Sequence, residues 1–586
     1  MAQVALVSEI GLKSDHHLIP AKTVHHSLPA DVLRSATAQN TDHSSTHSVV
    51  QTSGSAFSTT ETDDYYRWRA GFHVAPRMNW ANDPCAPGYS SGLYHLSFQW
   101  NPENWEWGNM SWGYAYSEDL VNWKVSSKPS MRPSGDQDPC GVFTGCMWPT
   151  DIKGTADSTI TCFYTSAQHL PIHWTRDYIQ GSELLRVATS DDGGRTWQRN
   201  PTPSLVPGPP EDIDVTAWRD PFVGHWPSVD HCLGRDSGRF MYGILAGGIR
   251  GKSPTTFLYS IDPQDLTKWD YIGVLLTPGL NFAPSSRLPD FGTNWEVTNF
   301  LSLQDNLGSK HDLLLMSVEG VKNNHCLLPM QYRKDKFRQR YTEPTRSDHM
   351  QNWLCGNILR STETTSIHAN SDPVRQSSSP VSFDFKFGGC LDFGCFYAAN
   401  SFYDPVSNTR IVHGWVIEED LPLQLQAKQR WSGLLAAPRV LGMQCVQNVV
   451  SCLGAMDLSR LDWIHCSPKS SGTYTVTFLT SSPDRRLSTL RQEGKKLPNL
   501  PAVLRTNHDG HDDPSTLLLE AKYLEIRASF SVSDTSARIG IILYHSAGKT
   551  ASEFIIGPSL LTLKRRQGEQ DDYCISPTRT VRRSGP

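Results

Sequence analysis

The sequence predicts an all-β fold, a five-bladed β-propeller followed by a β-sandwich, and three observations carry that expectation. The first is a repeat: Ser117-Glu-Asp-Leu-Val-Asn-Trp123, Ser190-Asp-Asp-Gly-Gly-Arg-Thr-Trp197 and Ser260-Ile-Asp-Pro-Gln-Asp-Leu-Thr-Lys-Trp269 share a Ser, an Asp in a turn and a Trp opening the next strand. The three Trp residues are roughly 70 to 75 positions apart, a period that suits a propeller blade with long connections. The second is length, since the stretch from Trp68 to about Met443 has room for five such blades. The third lies further on, where Leu524, Ile526, Ala528, Phe530 and Val532 alternate with polar neighbours and Ile539 to Tyr544 form an apolar run, the pattern of half-buried strands.

In chain order, residues 1–62 are rich in Ser, Thr, His and Asp without apolar periodicity and read as a disordered tail. His16-His17 and His25-His26 lack carboxylate or thiol partners at ligand spacing, so no metal site is expected there. Residues 63–443 are assigned to the propeller, in which Asp and Gly supply turn chemistry and the repeated Trp packs between neighbouring sheets. Within it, Arg360 to Pro380 is dominated by Ser and Thr and reads as a surface insertion between strands. Residues 455–566 are assigned to the sandwich and 567–586 to a polar tail.

Composition narrows the function classes. At 586 residues the chain exceeds one hydrophobic core. A formal charge of −5 with no basic stripe gives no electrostatic reason to expect nucleic acid or an anionic membrane. No run of about eighteen apolar residues marks a membrane span. The N-terminus lacks a basic n-region, one glycosylation sequon is found at Asn109-Met-Ser111, and the 13 Cys have no framework spacing. These features favour an intracellular protein, with secretion as the alternative. The 18 Trp and 19 Tyr are mostly expected as core, although aromatic faces also stack on sugar rings.

Three acids in short motifs offer a complete chemistry: Asp83 in Trp80-Ala-Asn-Asp-Pro84, Asp220 in Trp218-Arg-Asp-Pro221 and Glu296 in Asn294-Trp-Glu-Val297. Cleaving a glycosidic bond with retention requires one carboxylate to attack and another carboxyl to deliver a proton. Neither a His-Glu-x-x-His nor a paired-Cys motif is present, so neither metal nor cofactor is expected.

Together with Phe98-Gln-Trp-Asn-Pro102, Trp107-Gly108 and Gly141-Val-Phe-Thr-Gly145, these motifs form an ordered series from Trp68 to Arg439. That series resembles glycoside hydrolase family 32, and within it the fungal branch of invertases, inulinases and sucrose fructosyltransferases. The chain departs from the family's usual Trp-Met-Asn-Asp-Pro-Asn-Gly at Ala81, Cys85 and Ala86, and Val297 follows Glu296 where Cys is frequent. The resemblance implies a five-bladed propeller delivering Asp83 as nucleophile, Glu296 as acid/base and Asp220 as transition-state stabiliser to a central funnel. Asn82, Gln99, Trp107, Phe143, Thr144 and Arg219 match positions around the bound fructose. Glu319, with Glu418 and Glu419, is a candidate for acceptor binding. It also implies a sandwich longer than this one, hence an incomplete sandwich with an exposed edge.

The expected function is a retaining β-fructofuranosidase acting on sucrose or a related small β-fructoside. Glu296 must be neutral when it gives its proton, so a mildly acidic optimum is expected. A sucrose-dependent fructosyltransferase is the first alternative, because water and an acceptor sugar compete for the same intermediate. An inactive carbohydrate-binding propeller is the alternative from another class.

Overall fold

A computed structural model of the protein describes residues 2–10, 65–66, 69–284, 289–322, 349–361, 379–392, 395–419, 423–449 and 464–491, and the backbone of five further strands between 515 and 577. The chain divides into two compact units, residues 65–495 and residues 1–64 with 496–586.

The larger unit is a five-bladed propeller of antiparallel sheets. Blade 1 runs outward through Asn79–Ser90, Leu93–Asn101, Ser111–Ser117 and Trp123–Val125. Blade 2 comprises Gly141–Trp148, Ile160–Ala167, Glu183–Ser190 and Gln198–Arg199, and blade 3 Val215–Gly224, Met241–Ile249, Ser253–Asp262 and Asp265–Val274. Blade 4 comprises Asn294–Gln304, Lys310–Glu319, Met350–Arg360 and Val381–Asp392. Blade 5 begins with Phe396–Asp404 and Thr409–Val416, then takes Arg439–Val449, Tyr474–Pro483 and Ile464–Pro468 in spatial order. The ring is tied shut where Trp431–Ser432 pairs in parallel with Asn79 and Trp80 of blade 1.

The domain boundary differs from the sequence expectation. Ile464–Pro468 and Tyr474–Pro483, assigned above to the sandwich, are the outer strands of blade 5. Between its second and third strands this blade spends residues on the helix Leu423–Gln429 and on the closing strand, so its outer half falls beyond Met443. Periodicity cannot anticipate a detour that is not repeated.

The smaller unit also departs from expectation. Ala2–Ile10, placed in the tail by composition, is a strand lying between Ser515–Leu519 and Ala537–His545. The sheet continues through Thr550–Ile556, Leu560–Gln567 and Gln570–Pro577, so part of the expected C-terminal tail is a strand as well. The described strands of this unit form one six-stranded antiparallel sheet. The apolar run at Ile539 to Tyr544 is a strand. The alternation at Leu524 to Val532, the two His pairs, Trp68 and residues 362–378 of the Ser/Thr-rich segment lie outside the described residues.

The repeated Trp residues do what their spacing suggests. Each packs against an aromatic ring of the preceding blade: Trp123 on His413 of blade 5 at 5.8 Å, Trp197 on Trp112 of blade 1 at 6.0 Å, and Trp269 on Phe163 of blade 2 at 5.3 Å. The Asp of each repeat folds the turn, Asp119 accepting the backbone N–H of Val121 and Asn122, and Asp192 that of Thr196. Turn chemistry and interblade packing therefore come from one short motif.

Candidate active site

Each innermost strand carries one extra residue at the same level. Pairing with the second strand jumps between Ala81 and Pro84, Val142 and Gly145, Arg219 and Phe222, Glu296 and Asn299, and Tyr397 and Asn400. A β-bulge bends its strand and re-aims the side chains around it. Five bulges in register form a ring, and every candidate catalytic residue lies on it. Asp220, Val297 and Ala398 adopt positive φ of 59°, 40° and 52°, strain that the closed ring holds in place. Gly145 is required by proximity, because a Cβ there would collide with the carbonyl oxygen of Phe163. Interblade bonds lock the level, with Asn400 Nδ2 donating to the carbonyls of Pro84 and Gly145 at 3.1 and 3.0 Å.

Asp83 of blade 1 is held by three donors. Thr144 Oγ1 donates to its Oδ2 at 2.6 Å, Gln99 Nε2 to the same oxygen at 3.3 Å, and Asn82 Nδ2 to Oδ1 at 3.2 Å. Asn82 is itself fixed by Trp80 Nε1, which donates to its Oδ1 at 3.0 Å. Burial, then the nearby Glu296 carboxylate, raise the Asp83 pKa to about 7 against the pull of these donors. Asp83 and Glu296, over two hundred positions apart in sequence, thus lie within each other's field.

Glu296 of blade 4 receives Arg219 Nη2 at 2.7 Å and Nε at 3.2 Å on Oε1, and the Tyr397 hydroxyl at 2.8 Å on Oε2. Asp220 of blade 3 accepts the Val297 N–H at 3.0 Å, while its own N–H donates to Thr165 Oγ1 at 2.8 Å. Burial pushes the Asp220 pKa well up; Arg219 opposes this, and the Glu296 and Asp83 charges add to it.

Arg219 is the hub of the cluster. Besides Glu296 it reaches Glu183 Oε1 at 2.9 Å, Glu319 Oε2 at 3.5 Å and Asp220 Oδ2 at 3.9 Å. Glu319 is buried, accepts Asn294 Nδ2 at 2.7 Å and pairs with His349 Nε2 at 3.5 Å. Although burial works to raise it, the His349 hydrogen bond and the Arg219 and His349 charges hold the Glu319 pKa down to about 2. Burial likewise disfavours the His349 cation, but the Glu319 hydrogen bond and charge raise its pKa. Glu319 therefore sits in the ion network behind Glu296. Glu418 Oε2 accepts the Gly433 N–H at 2.9 Å, and the Glu419 charge also raises the His349 pKa.

Phe143 joins Trp80, Tyr397, Val297 and Trp415 in one buried apolar cluster beside the bulges. Trp107 stands edge-on to Phe143 at 6.0 Å and is 48% exposed. Asn82, Asp83, Phe143, Thr144 and Asp220 thus lie in the bulges, Gln99, Arg219 and Glu296 bond to or adjoin them, and Glu319 lies in the ion network, while Glu418 bonds elsewhere, to Gly433. Glu183, His349, Tyr397 and Thr165 were missed. Only Tyr397 had a usable signal, since it occupies the bulge position in blade 5 that Glu296 occupies in blade 4.

Comparison with known proteins places the chain in a family. Residues 73–451 match the model of the Glycosyl hydrolases family 32 N-terminal domain. The chain belongs to glycoside hydrolase family 32. It is 29% identical over 378 residues to "Beta-fructofuranosidase, insoluble isoenzyme 2" of Oryza sativa subsp. indica, covering 63% of this chain and 53% of that protein. With "Beta-fructofuranosidase, insoluble isoenzyme 1" of Daucus carota it shares 27% over 422 residues, covering 69% of this chain and 59% of the relative. The chain thus spans little more than half the length of these relatives. Among solved structures, the β-fructofuranosidase of Aspergillus kawachii complexed with glycerol superposes with a TM-score of 0.61 at 25% identity, covering 77% of this chain and 71% of that one. The fructosyltransferase of A. japonicus superposes with a TM-score of 0.63 at 20% identity over 87% of each chain, a likeness of fold.

Proposed function

We propose that the protein is a retaining β-fructofuranosidase acting on sucrose or a related β-fructoside. The observation that supports this most is the convergence of Asp83, Asp220 and Glu296 from three blades on one ring, with Asp83 and Glu296 close enough to perturb one another. Family membership supplies the sugar class.

In the first step an Asp83 carboxylate oxygen bonds to the anomeric C2 of the fructofuranosyl unit. The bond from C2 to the bridging oxygen breaks, and that oxygen takes its proton from Glu296. Arg219 and Tyr397 fix the direction in which Glu296 presents that proton. Thr144, Gln99 and Asn82 orient Asp83 and, as the ester forms, leave its free oxygen hydrogen-bonded. Asp220 faces the same ring as a partner for the fructose hydroxyls. In the second step Glu296, now a carboxylate, removes a proton from the incoming oxygen nucleophile, which bonds to C2 and releases Asp83. With water the result is hydrolysis; with a sugar hydroxyl it is transfer.

Incubation with sucrose, and separately with inulin, followed by measurement of free glucose and fructose, tests the proposal. Equal release from sucrose is expected for hydrolysis, and glucose in excess of fructose assigns transfer. If neither sugar is released from either substrate, the funnel is a binding site and the catalytic reading is wrong.

A further inference from the structure

We infer that Glu183, a residue outside the catalytic motifs, is a positioning residue that acts through Arg219 to set where the Glu296 carboxyl points; the inference rests on Glu296 being the proton donor. Glu183 opens the third strand of blade 2 and is fully buried. Its two oxygens are committed to consecutive residues of blade 3: Oε2 accepts the Trp218 backbone N–H at 2.8 Å, and Oε1 accepts Arg219 Nη1 at 2.9 Å. A charge so buried persists only when paired and hydrogen-bonded.

The geometry makes the coupling directional. The guanidinium is a rigid planar fork, so fixing Nη1 on one side fixes Nε and Nη2 on the other. Those two nitrogens are the ones on Glu296 Oε1, at 3.2 and 2.7 Å. Glu319 and Asp220 lie farther from the same guanidinium, at 3.5 and 3.9 Å, and compete for it. Without Glu183, Nη1 would be an unpaired buried donor and the fork would be free to turn toward either competitor. The Trp218 bond anchors Glu183 to the strand that carries Asp220, so one carboxylate ties two of the three catalytic acids to a common frame.

The test is Glu183→Gln, which keeps the volume but turns an amide NH2 toward one of two donors. The turnover number should fall at least about tenfold, KM should change by less than about threefold, and the pH–rate profile should be displaced. Because the effect passes through Arg219, adding E183Q to R219K should cost little beyond R219K alone. A purely structural role predicts the reverse: a lower melting temperature with unchanged turnover per folded molecule, and losses that multiply in the double variant. Should E183Q fail to fold, Glu183→Asp keeps the charge, shortens the reach, and should show a smaller loss of the same kind. A crystal structure of E183Q, or of E183D, supplies a readout independent of activity. Arg219 displaced from Glu296 supports the inference even if the wild-type enzyme cleaves no sucrose, and Arg219 unmoved overturns it.

Discussion

Two arginines in this propeller each gather carboxylates, and the acids around them do not all shift the same way. Arg486, just beyond the strand Tyr474–Pro483, bonds Asp484 at 2.7 Å, Asp404 at 3.0 Å and the Tyr94 hydroxyl at 2.6 Å, tying blade 5 to blade 1. There, although burial works against the charge, hydrogen bonds from Ser407, the Val406 N–H and Arg486 bring the Asp404 pKa below its ordinary value, and Arg486 does the same for Asp484. At the funnel, Arg219 faces Glu183, Asp220, Glu296 and Glu319, and beyond them Asp83, so acids outnumber cations; burial and mutual repulsion raise Asp83 and Asp220. At the seam two acids share one cation and both are lowered; at the funnel five acids crowd around Arg219, and the crowding that raises Asp83 and Asp220 opposes folding.

The largest effect expected from this contrast is on rate. Asp83→Asn removes the nucleophile and Glu296→Gln the proton donor, so each should lower turnover by three orders of magnitude or more, a barrier increase of about 4 kcal/mol. Both should still melt cooperatively. Near-normal sucrose cleavage by either purified variant would overturn the assignment. At the seam the expectation is reversed. Arg486→Met leaves two buried carboxylates without their cation and should cost about 3 kcal/mol of stability, read as a lower urea midpoint, while turnover per folded molecule stays within about twofold. Loss of turnover without loss of stability would show that the seam is no separate device.

The funnel cluster should also betray itself through stability. A carboxyl whose folded pKa is raised favours folding below its unfolded pKa of about 3.9, and that advantage is lost as pH rises through its folded value of about 7. Asp83→Asn removes the penalty. The variant should therefore melt above the wild type at pH 8 and close to it at pH 4, the gap being about 2 kcal/mol because the carboxyl opens on the funnel. At the seam the sign is opposite: with lowered pKa values, Asp404 and Asp484 contribute stability above about pH 4 that disappears as acid protonates them. Equal melting curves for wild type and Asp83→Asn at pH 8 would remove the idea of a strained carboxylate pair.

How much of this was legible in the sequence follows from what repeats and what does not. Trp123, Trp197 and Trp269 recur with their turn acids because each blade has the same packing problem, and their period left room for five blades between Trp68 and about Met443. Asp83, Asp220 and Glu296, the acids proposed as catalytic, sit in motifs crowded with aromatic and Asn/Arg neighbours that bury and aim them. Glu183 could not be found that way. It is a single acid opening an apolar strand, Glu183-Leu-Leu-Arg186, and its meaning lies in Arg219, a contact made only when blades 2 and 3 meet. Arg486 was hidden by the boundary itself, since it lies in a segment the composition assigned to the sandwich. Ala2–Ile10 was hidden because its strand partners are more than five hundred residues away.

The smallest expected effect is the most specific to the funnel. Burial, then the Glu296 charge beside it, push the Asp83 pKa up to about 7, so a proton is held between these close carboxyls until about that pH. Retaining chemistry needs one proton, on the Glu296 side, when the glycosidic oxygen departs. Loss of the pair's proton therefore sets the alkaline limb. The ratio kcat/KM for sucrose should decline tenfold per pH unit above about 7, placing the optimum on the mildly acidic side. Glu183→Gln should move this limb, because Arg219 then holds Glu296 differently. Arg486→Met, remote from the pair, should leave it in place. An alkaline limb that shifts equally in both variants would mean that the two arginine clusters are electrostatically one.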